Sequence, residues 1–484
     1  AKLFSAEGFG IWNNWWYGGH DIVLYSVLFP AVAATITPQL AAAIAAVGAA
    51  ALFEPIARRH FGPDAWLGAL WFGAATAISL YTGRLTFAFG MLGAVACVFA
   101  LQRRWTAIAV ALALLTALAS PVAALFAALA GGAAAIGEYW GRRRLLAALP
   151  GLAVAAAALV PLLLIAIAFP EGGTEPFAFS AFWPLPLIAV ALLLVIPRRE
   201  RTLRVGVVLY LLLCVASFAL STSVGGNAAR LEELLAAPLA ALVLWPARKA
   251  LLLAVALPLL YLQWHAPIRD LTTASNGATN NSYYQPLLSY LERQPGPPFR
   301  IEIPFTKLHW EAYRVAPRFP LARGWERQLD LKYNALFYNG TLNATTYDAW
   351  LHRLAVRFVA VPDTGLDYSA AGEVALIDRG LPYLHLVRTT GHWRIYAVAD
   401  PTPVVQGAAR LVAIGPDWLR LDALAPGRAL VRVHFSPYWA ITEGSGCVAP
   451  AGDFTALTLR RPGAVRVSIR FSLGRIEARS PRCS

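Results

Sequence analysis

The sequence predicts a polytopic α-helical membrane bundle of about ten spans, followed by an extracytoplasmic α/β region and a β-sandwich-like region. Three observations carry this. Hydrophobic residues make up 58% of the 484 positions and charged residues only 14%, a balance that suits a bilayer rather than water. Long apolar runs fill residues 31–268, with Lys and Arg gathered between them. After Pro267 those runs stop, and short alternating segments replace them.

Residues 1–30 set an expectation of their own. The stretch GIWNNWWYGGHDIVLYSVLFP packs Trp12, Trp15, Trp16, Tyr17, His20, Asp21 and Tyr25 ahead of the first long apolar run. Such rings suit the level where a bilayer meets water, because the ring is apolar while its N–H or O–H still needs a partner. The segment therefore reads as an outer aromatic loop or interfacial helix. His20 beside Asp21 argues against a spanning helix, and a polar ligand is expected to be handled here.

Apolar runs follow at 31–53, 65–83, 85–102, 105–137, 145–170, 176–197, 205–229, 234–247 and 250–268. About 20 such residues cross about 30 Å of hydrocarbon. The run 105–137 is too long for one pass, and Ser120-Pro121 near its middle divides it into two helices. Between the runs lie Arg58 and Arg59, Arg103 and Arg104, Arg142 with Arg143 and Arg144, the arginines of 198–204, and Arg248 with Lys249. With residues 1–30 outside, every cluster falls on the cytoplasmic side, as the positive-inside rule requires. That placement accounts for the formal charge of +14 and argues against nucleic acid. It also puts the C-terminal region outside, and an even number of spans with an external start leads us to expect one further helix before Ala1.

Residues 269–284, rich in Thr, Asn, Ser and Gly at 271–282, read as a linker. In 285–401 helical and strand patterns alternate: a helix at 285–293, the strand FRIEIPF, a helix at 345–354, then VRFVAV, YLHLVRT and HWRIYAV. This is a small α/β domain. In 402–484 short alternating strands such as ALVRVHF and AVRVSIRF are broken by Gly and Pro, which predicts a β-sandwich-like domain. Cys97 and Cys214 lie in apolar runs, whereas Cys447 and Cys483 can pair if their region lies outside the cytoplasm. The sequence has no CxxC pair and no metal-ligand spacing.

Candidate chemistry belongs on the outer face, where the carboxylates are Glu7, Asp21, Glu171, Glu175, Glu232 and Glu233. Glu7 and Asp21 flank the aromatic segment and are the candidate general bases. His20 can orient a partner, satisfy local backbone, or hold a metal with Asp21. Arg84 in YTGRLTF and Arg230 in GGNAARLEELL suit phosphate recognition, with Asn227 adding donors beside Arg230, or they reach to lipid headgroups. Tyr25 joins this substrate-binding set. Trp310 and Glu311 in HWEAYRV and Trp325 in LARGWERQLDLKYN can hold a sugar ring by stacking and hydrogen bonding, or pack this region against the bundle.

Five stretches carry a resemblance: AEGFGIWNNWWYGGHDIVLYSVLFP, YTGRLTFAFG, ALASPVAALF, GGNAARLEELLAAPLAAL and HWEAYRVAPRFPLARGWERQLDLKYNALFYNG. Together they make the chain similar to the GT-C superfamily of integral-membrane glycosyltransferases. More closely, it resembles the bacterial membrane proteins labelled 6-pyruvoyl-tetrahydropterin-synthase-related, a label that does not make it a pterin enzyme. The resemblance covers most of the chain and implies a GT-C-like fold in the cell membrane. It implies a polyprenyl-phosphate-linked sugar as donor and an envelope glycan or glycolipid as acceptor. Glu7 or Asp21 would be the base, and Arg230 would hold the lipid phosphate, in an inverting displacement at the anomeric carbon. The family often places its acidic motif directly after the first helix, but no Asp-x-Asp or Asp-Glu pair stands in residues 1–30. No cofactor is implied, and a divalent metal is left open. Two other classes share these features: a transporter or flippase for a lipid-linked glycan, and a noncatalytic envelope assembly protein.

Overall fold

The structure, a computed structural model, describes residues 1–483, and they divide into two units. The first takes residues 1–9, 23–166 and 174–274; the second takes 10–22, 167–173 and 275 onward.

The first unit is helical. Its elements are α1 (Lys2–Glu7), α2 (Phe29–Ile36), α3 (Pro38–Phe61), α4 (Trp66–Tyr81), α5 (Leu85–Gln102), α6 (Thr106–Ala119) and α7 (Pro121–Arg142). Then come α8 (Leu145–Ala168), α9 (Phe179–Phe182), α10 (Pro184–Val195), α11 (Arg201–Ala219), α12 (Arg230–Leu244) and α13 (Lys249–Thr273), the end of α8 passing into the second unit. Six of these, α3, α5, α7, α8, α11 and α13, are long and apolar enough to cross a membrane. The break expected in 105–137 falls at Ser120, which is extended and whose hydroxyl caps α7 through the Ala123 N–H. The run expected to begin at residue 31 is also broken, because Thr37 turns to φ 77° ahead of Pro38 and separates α2 from α3. Small residues set the helix spacing. A Cβ on Gly131 would stand 2.7 Å from the Gly151 carbonyl, so glycine lets α7 and α8 approach backbone to backbone.

The second unit opens with a hairpin of β1 (Trp12–Asn13) and β2 (His20–Asp21), paired antiparallel. From 275 onward it continues with α14 (Asn281–Leu291), β3 (Arg300–Glu302), α15 (Glu311–Arg314), α16 (Arg327–Tyr333), α17 (Ala344–Arg353), β4 (Val356–Pro362), α18 (Ala371–Asp378), β5 (Leu384–Thr390) and β6 (Trp393–Val398). The sheet order is β3-β4-β6-β5, with β3 parallel to β4 and the other pairs antiparallel. The segment read as a linker is shorter than expected: α13 runs to Thr273 and α14 starts at Asn281.

The remaining strands form two antiparallel sheets. They are β7 (Val405–Gly407), β8 (Ala409–Ile414), β9 (Trp418–Ala423), β10 (Gly427–His434), β11 (Trp439–Glu443), β12 (Gly446–Ala451), β13 (Phe454–Leu459), β14 (Gly463–Ile469) and β15 (Arg482–Cys483). One sheet runs β15-β12-β13-β10-β7 and the other β11-β14-β9-β8. Val431, Val448 and Leu457 of the first share a core with Leu421, Val467 and Trp439 of the second. Cys447 and Cys483 are disulfide-bonded across β12 and β15, as their placement in the sequence allowed.

The aromatic stretch differs from its expectation. Trp12 is part of the sandwich core, and Tyr17 and His20 are fully buried. Backbone bonds join the hairpin to three parts of the second unit: Asn14 N–H to the Pro416 carbonyl at 2.7 Å, Leu321 N–H to Trp15 at 2.8 Å, and His434 N–H to Gly18 at 2.7 Å. Interfacial rings would keep a lipid-facing surface, but these have protein partners. Indole N–H groups are satisfied inside the fold, Trp12 by Asn14 Oδ1 at 2.7 Å and Trp16 by the Ala312 carbonyl at 3.3 Å.

Candidate functional site

The sequence Trp15-Trp16-Tyr17-Gly18-Gly19 makes the tight turn of the hairpin, with φ positive at Tyr17, Gly18 and Gly19. A Cβ on Gly19 would fall 2.5 Å from the Trp12 ring, so the turn can close on that ring only with glycine there. Closing it sets His20 and Asp21 in line on β2. His20 stacks on Trp16 with ring centroids 5.5 Å apart, and its Nδ1 lies 3.2 Å from the Asp21 carbonyl. Burial lowers the pKa of His20 and keeps the imidazole neutral.

Asp21 faces a second carboxylate. Glu171, from the 167–173 segment after α8, is buried, and its Oε2 accepts the Asp21 main-chain N–H at 2.5 Å. Its Oε1 accepts the hydroxyl of Tyr333, and its main-chain carbonyl accepts Lys332 Nζ, both from the end of α16. Burial and the neighbouring Glu171 charge raise the pKa of Asp21 well above the ordinary carboxylate range. Glu326 nearby is pushed up to about 8 by burial and by Glu171. Two buried atoms, His20 Nε2 and Asp21 Oδ1, have no hydrogen-bond partner among the described residues. Glu171 carries the donors, and Asp21 carries the raised proton affinity. A half-buried carboxyl poised in this way can take or give a proton.

A second cluster lies wholly in the first unit. The helix pair α4 and α5 turns at Thr82-Gly83, with Gly83 at φ 69°, and presents Arg84 as the residue before α5. Arg84 is paired with Glu233 in the first turn of α12. The Glu233 carbonyl in turn accepts Gln263 Nε2 at 2.7 Å, and Trp71 Nε1 donates to Gln263 Oε1 at 2.8 Å. Arg230 lies with its guanidinium 5.4 Å over the Phe87 ring, within electrostatic reach of Arg84, Tyr25, Glu233 and Glu175. The short helical turn Gly225–Ala229 carries Asn227 into α12, and the 174–176 segment passes so close to it that a Cβ on Gly225 would strike the Glu175 carbonyl. Arg84 and Tyr25 thus both lie within electrostatic reach of Arg230, with Asn227 one turn ahead of it.

Other expected site residues fall elsewhere. Glu7 ends α1 as an exposed residue of the first unit, whereas Asp21 belongs to the second and has Glu171 as its carboxylate neighbour. Glu311 is fully buried, with its oxygens taken by the Thr306 N–H at 3.2 Å and hydroxyl at 2.6 Å, so it organises the 306–311 loop instead of facing a sugar. Trp310 is half-buried, with Arg314 5.0 Å over its ring, and Trp325 is 41% exposed. The RGWERQLD stretch has a structural centre of its own. Arg323 is fully buried between the Phe305 and Phe337 rings, 3.9 Å from each, and is forked onto Asp330 at 2.6 and 3.2 Å.

Sequence reasoning passed over Glu171, Lys332 and Tyr333. Glu171 was one of six outer carboxylates with nothing to single it out, and LDLKYN carried no recognisable spacing toward it. Among the described residues no three His, Cys, Asp or Glu side chains converge in a way that could hold a metal ion. No family model, curated protein or solved structure matches this chain.

Proposed function

We propose that the protein is a membrane glycosyltransferase of GT-C-like organisation, with about ten spans and an extracytoplasmic second unit. It would move a sugar from a polyprenyl-phosphate donor to an extracytoplasmic envelope glycan or glycolipid, with inversion. The observation that carries this reading is the Asp21 and Glu171 pair. A half-buried carboxyl with a raised pKa, beside a carboxylate already supplied with donors, is suited to collect a hydroxyl proton. The disulfide between Cys447 and Cys483 supports an oxidising compartment for the second unit.

In the proposed reaction ionised Asp21 accepts the proton of the acceptor hydroxyl. The freed oxygen attacks the anomeric carbon, a new C–O bond forms, and the bond to the phosphate oxygen breaks. The departing electron pair goes to the phosphate, which leaves with the lipid; Arg84 and Arg230 of the first unit are the candidate ligands of a lipid phosphate.

The test uses purified protein in lipid nanodiscs with radiolabelled polyprenyl-phosphate sugars and a panel of envelope acceptors. Transfer that vanishes in Asp21→Asn supports the reading. Transfer at the parental rate in Asp21→Asn and Glu171→Gln overturns the site. Movement of an intact lipid-linked glycan across the bilayer, with no transfer, would replace it by the transporter reading.

A further inference from the structure

The first unit contains a partly open cavity of about 610 Å³. Its wall is mostly aliphatic, and the reason lies in the sequence. Where α5, α7 and α10 face the interior they present Ala94, Ala130 and Ala189, which are too short to fill the space between helices. The Gly131 and Gly151 approach holds α7 and α8 together beside it. On α5 the lining runs from Met91 to Gln102 and on α12 from Leu231 to Leu242. At 1.5 Å per residue either stretch is roughly 16 Å long. That is about half the ~30 Å hydrocarbon thickness of a bilayer, the reach of one acyl chain in one leaflet.

Tyr210 and Glu232 line the cavity at the start of α12, and His60, Gln102, Arg104 and Glu138 line its other end, at the opposite end of α5 from Arg84. Arg104 lies 3.3 Å from Glu138 and His60 2.6 Å from Glu200. Around this end the arginines at 58–59, 103–104, 142–144 and 198–204 outnumber the nearby acids Glu54, Asp64, Glu138 and Glu200. Gln102 donates its Nε2 to the Ile56 carbonyl at 3.1 Å, while its buried Oε1 finds no donor among the described residues. An excess of guanidinium groups and an unsatisfied acceptor together fit a headgroup that is anionic and carries a hydroxyl.

We infer that this cavity binds one acyl chain of an anionic bilayer phospholipid whose headgroup lies at the Arg104 and Gln102 end. The ligand is a resident lipid, distinct from the sugar donor. Its length match is to an acyl chain, and the basic end of the cavity is the one remote from Arg84 and Arg230, the near end carrying the acid Glu232. The inference does not rest on glycosyl transfer, since its readout is lipid occupancy.

The experiment is native mass spectrometry and lipid extraction of protein purified in mild detergent, followed by add-back of phosphatidylglycerol or phosphatidylcholine vesicles to delipidated protein. About one equivalent of anionic phospholipid should copurify, and phosphatidylglycerol should raise the melting temperature more than phosphatidylcholine does. Ala94→Phe with Ala130→Phe should cut occupancy at least fivefold while the elution profile is unchanged. Arg104→Gln, a change at the exposed rim, should reduce the preference for phosphatidylglycerol even if the filled variant fails to fold. Substoichiometric or detergent-exchangeable lipid only, equal response to the two vesicles, or a bound isoprenoid instead of an acyl lipid would each overturn the assignment.

Discussion

The main-chain N–H of Asp21 donates to Oε2 of Glu171 at 2.5 Å, joining a hairpin near the start of the chain to a segment 150 residues later. The Tyr333 hydroxyl secures the other oxygen of the same carboxylate. This triangle leads to the first two predictions.

Asp21→Asn should reduce sugar transfer by about 10²- to 10⁴-fold, the range spanned by loss of a general base. In the parent, activity should rise with pH through the ionisation of Asp21, because only the ionised form accepts the proton and its pKa is raised by burial and Glu171. Stability should run the other way. A raised folded-state pKa means that ionising Asp21 costs the folded protein stability as pH rises from the unfolded value, about 3.9, toward the folded one. Asp21→Asn should therefore raise the melting temperature more at pH 8 than at pH 5, as read by thermal scanning at both pH values.

Tyr333→Phe tests whether Glu171 positions the pair. Removing the hydroxyl leaves the Glu171 charge less compensated beside Asp21, so the acid limb of the pH–rate profile, which follows Asp21, should move up. An unchanged profile with lower activity would instead indicate only local damage.

Arg84→Ala and Arg230→Ala should each weaken donor use by about 10- to 100-fold in kcat/KM, the worth of a charge-assisted hydrogen bond. Arg230→Lys should recover little, because a point charge does not reproduce the planar fork that binds two phosphate oxygens. Steady-state kinetics against donor concentration measures both.

His309 sits 3.6 Å from Glu311 and 3.7 Å from Asp367. Burial opposes its charge, but Asp367 and Glu311 outweigh that and lift it to about 9. Its contribution is therefore fully present below pH 6.5 and lost as pH rises through 9. His309→Gln should lower the melting temperature at pH 6 and have little effect at pH 9.5.

Replacing both Cys447 and Cys483 by Ser opens a loop whose ends are 36 residues apart. By loop-closure entropy alone the bond contributes about 3–4 kcal/mol, so the double variant should melt earlier, and reductant should have the same effect on the parent. Differential scanning calorimetry with and without reductant checks this.

The helical half was legible because apolar length and basic punctuation are local signals. Ser120-Pro121 marked a cap by its own chemistry, and the structure has the break there. Strand alternation likewise exposed β4 and β10. What escaped was pairing at a distance. Aromatic residues with polar tips look alike at a bilayer and in a core, and only tertiary partners such as Asn14 Oδ1 for Trp12 distinguish the two. Glu171 was visible as a residue but not as a partner of Asp21, since nothing local records a contact spanning 150 positions.

The hairpin carrying Trp12 is made first, yet much of the core that receives it, including Leu421, Val431 and Trp439, is encoded some four hundred residues later. At roughly 5–20 residues per second a ribosome needs on the order of half a minute to bridge that interval. Throughout it, Trp12 lacks these core partners while the intervening helices are being synthesised. The carboxyl of Asp21 therefore acquires its raised proton affinity only after Glu171 and the residues that bury the hairpin have been synthesised. An unfinished chain carries the residues of the pair without their chemistry.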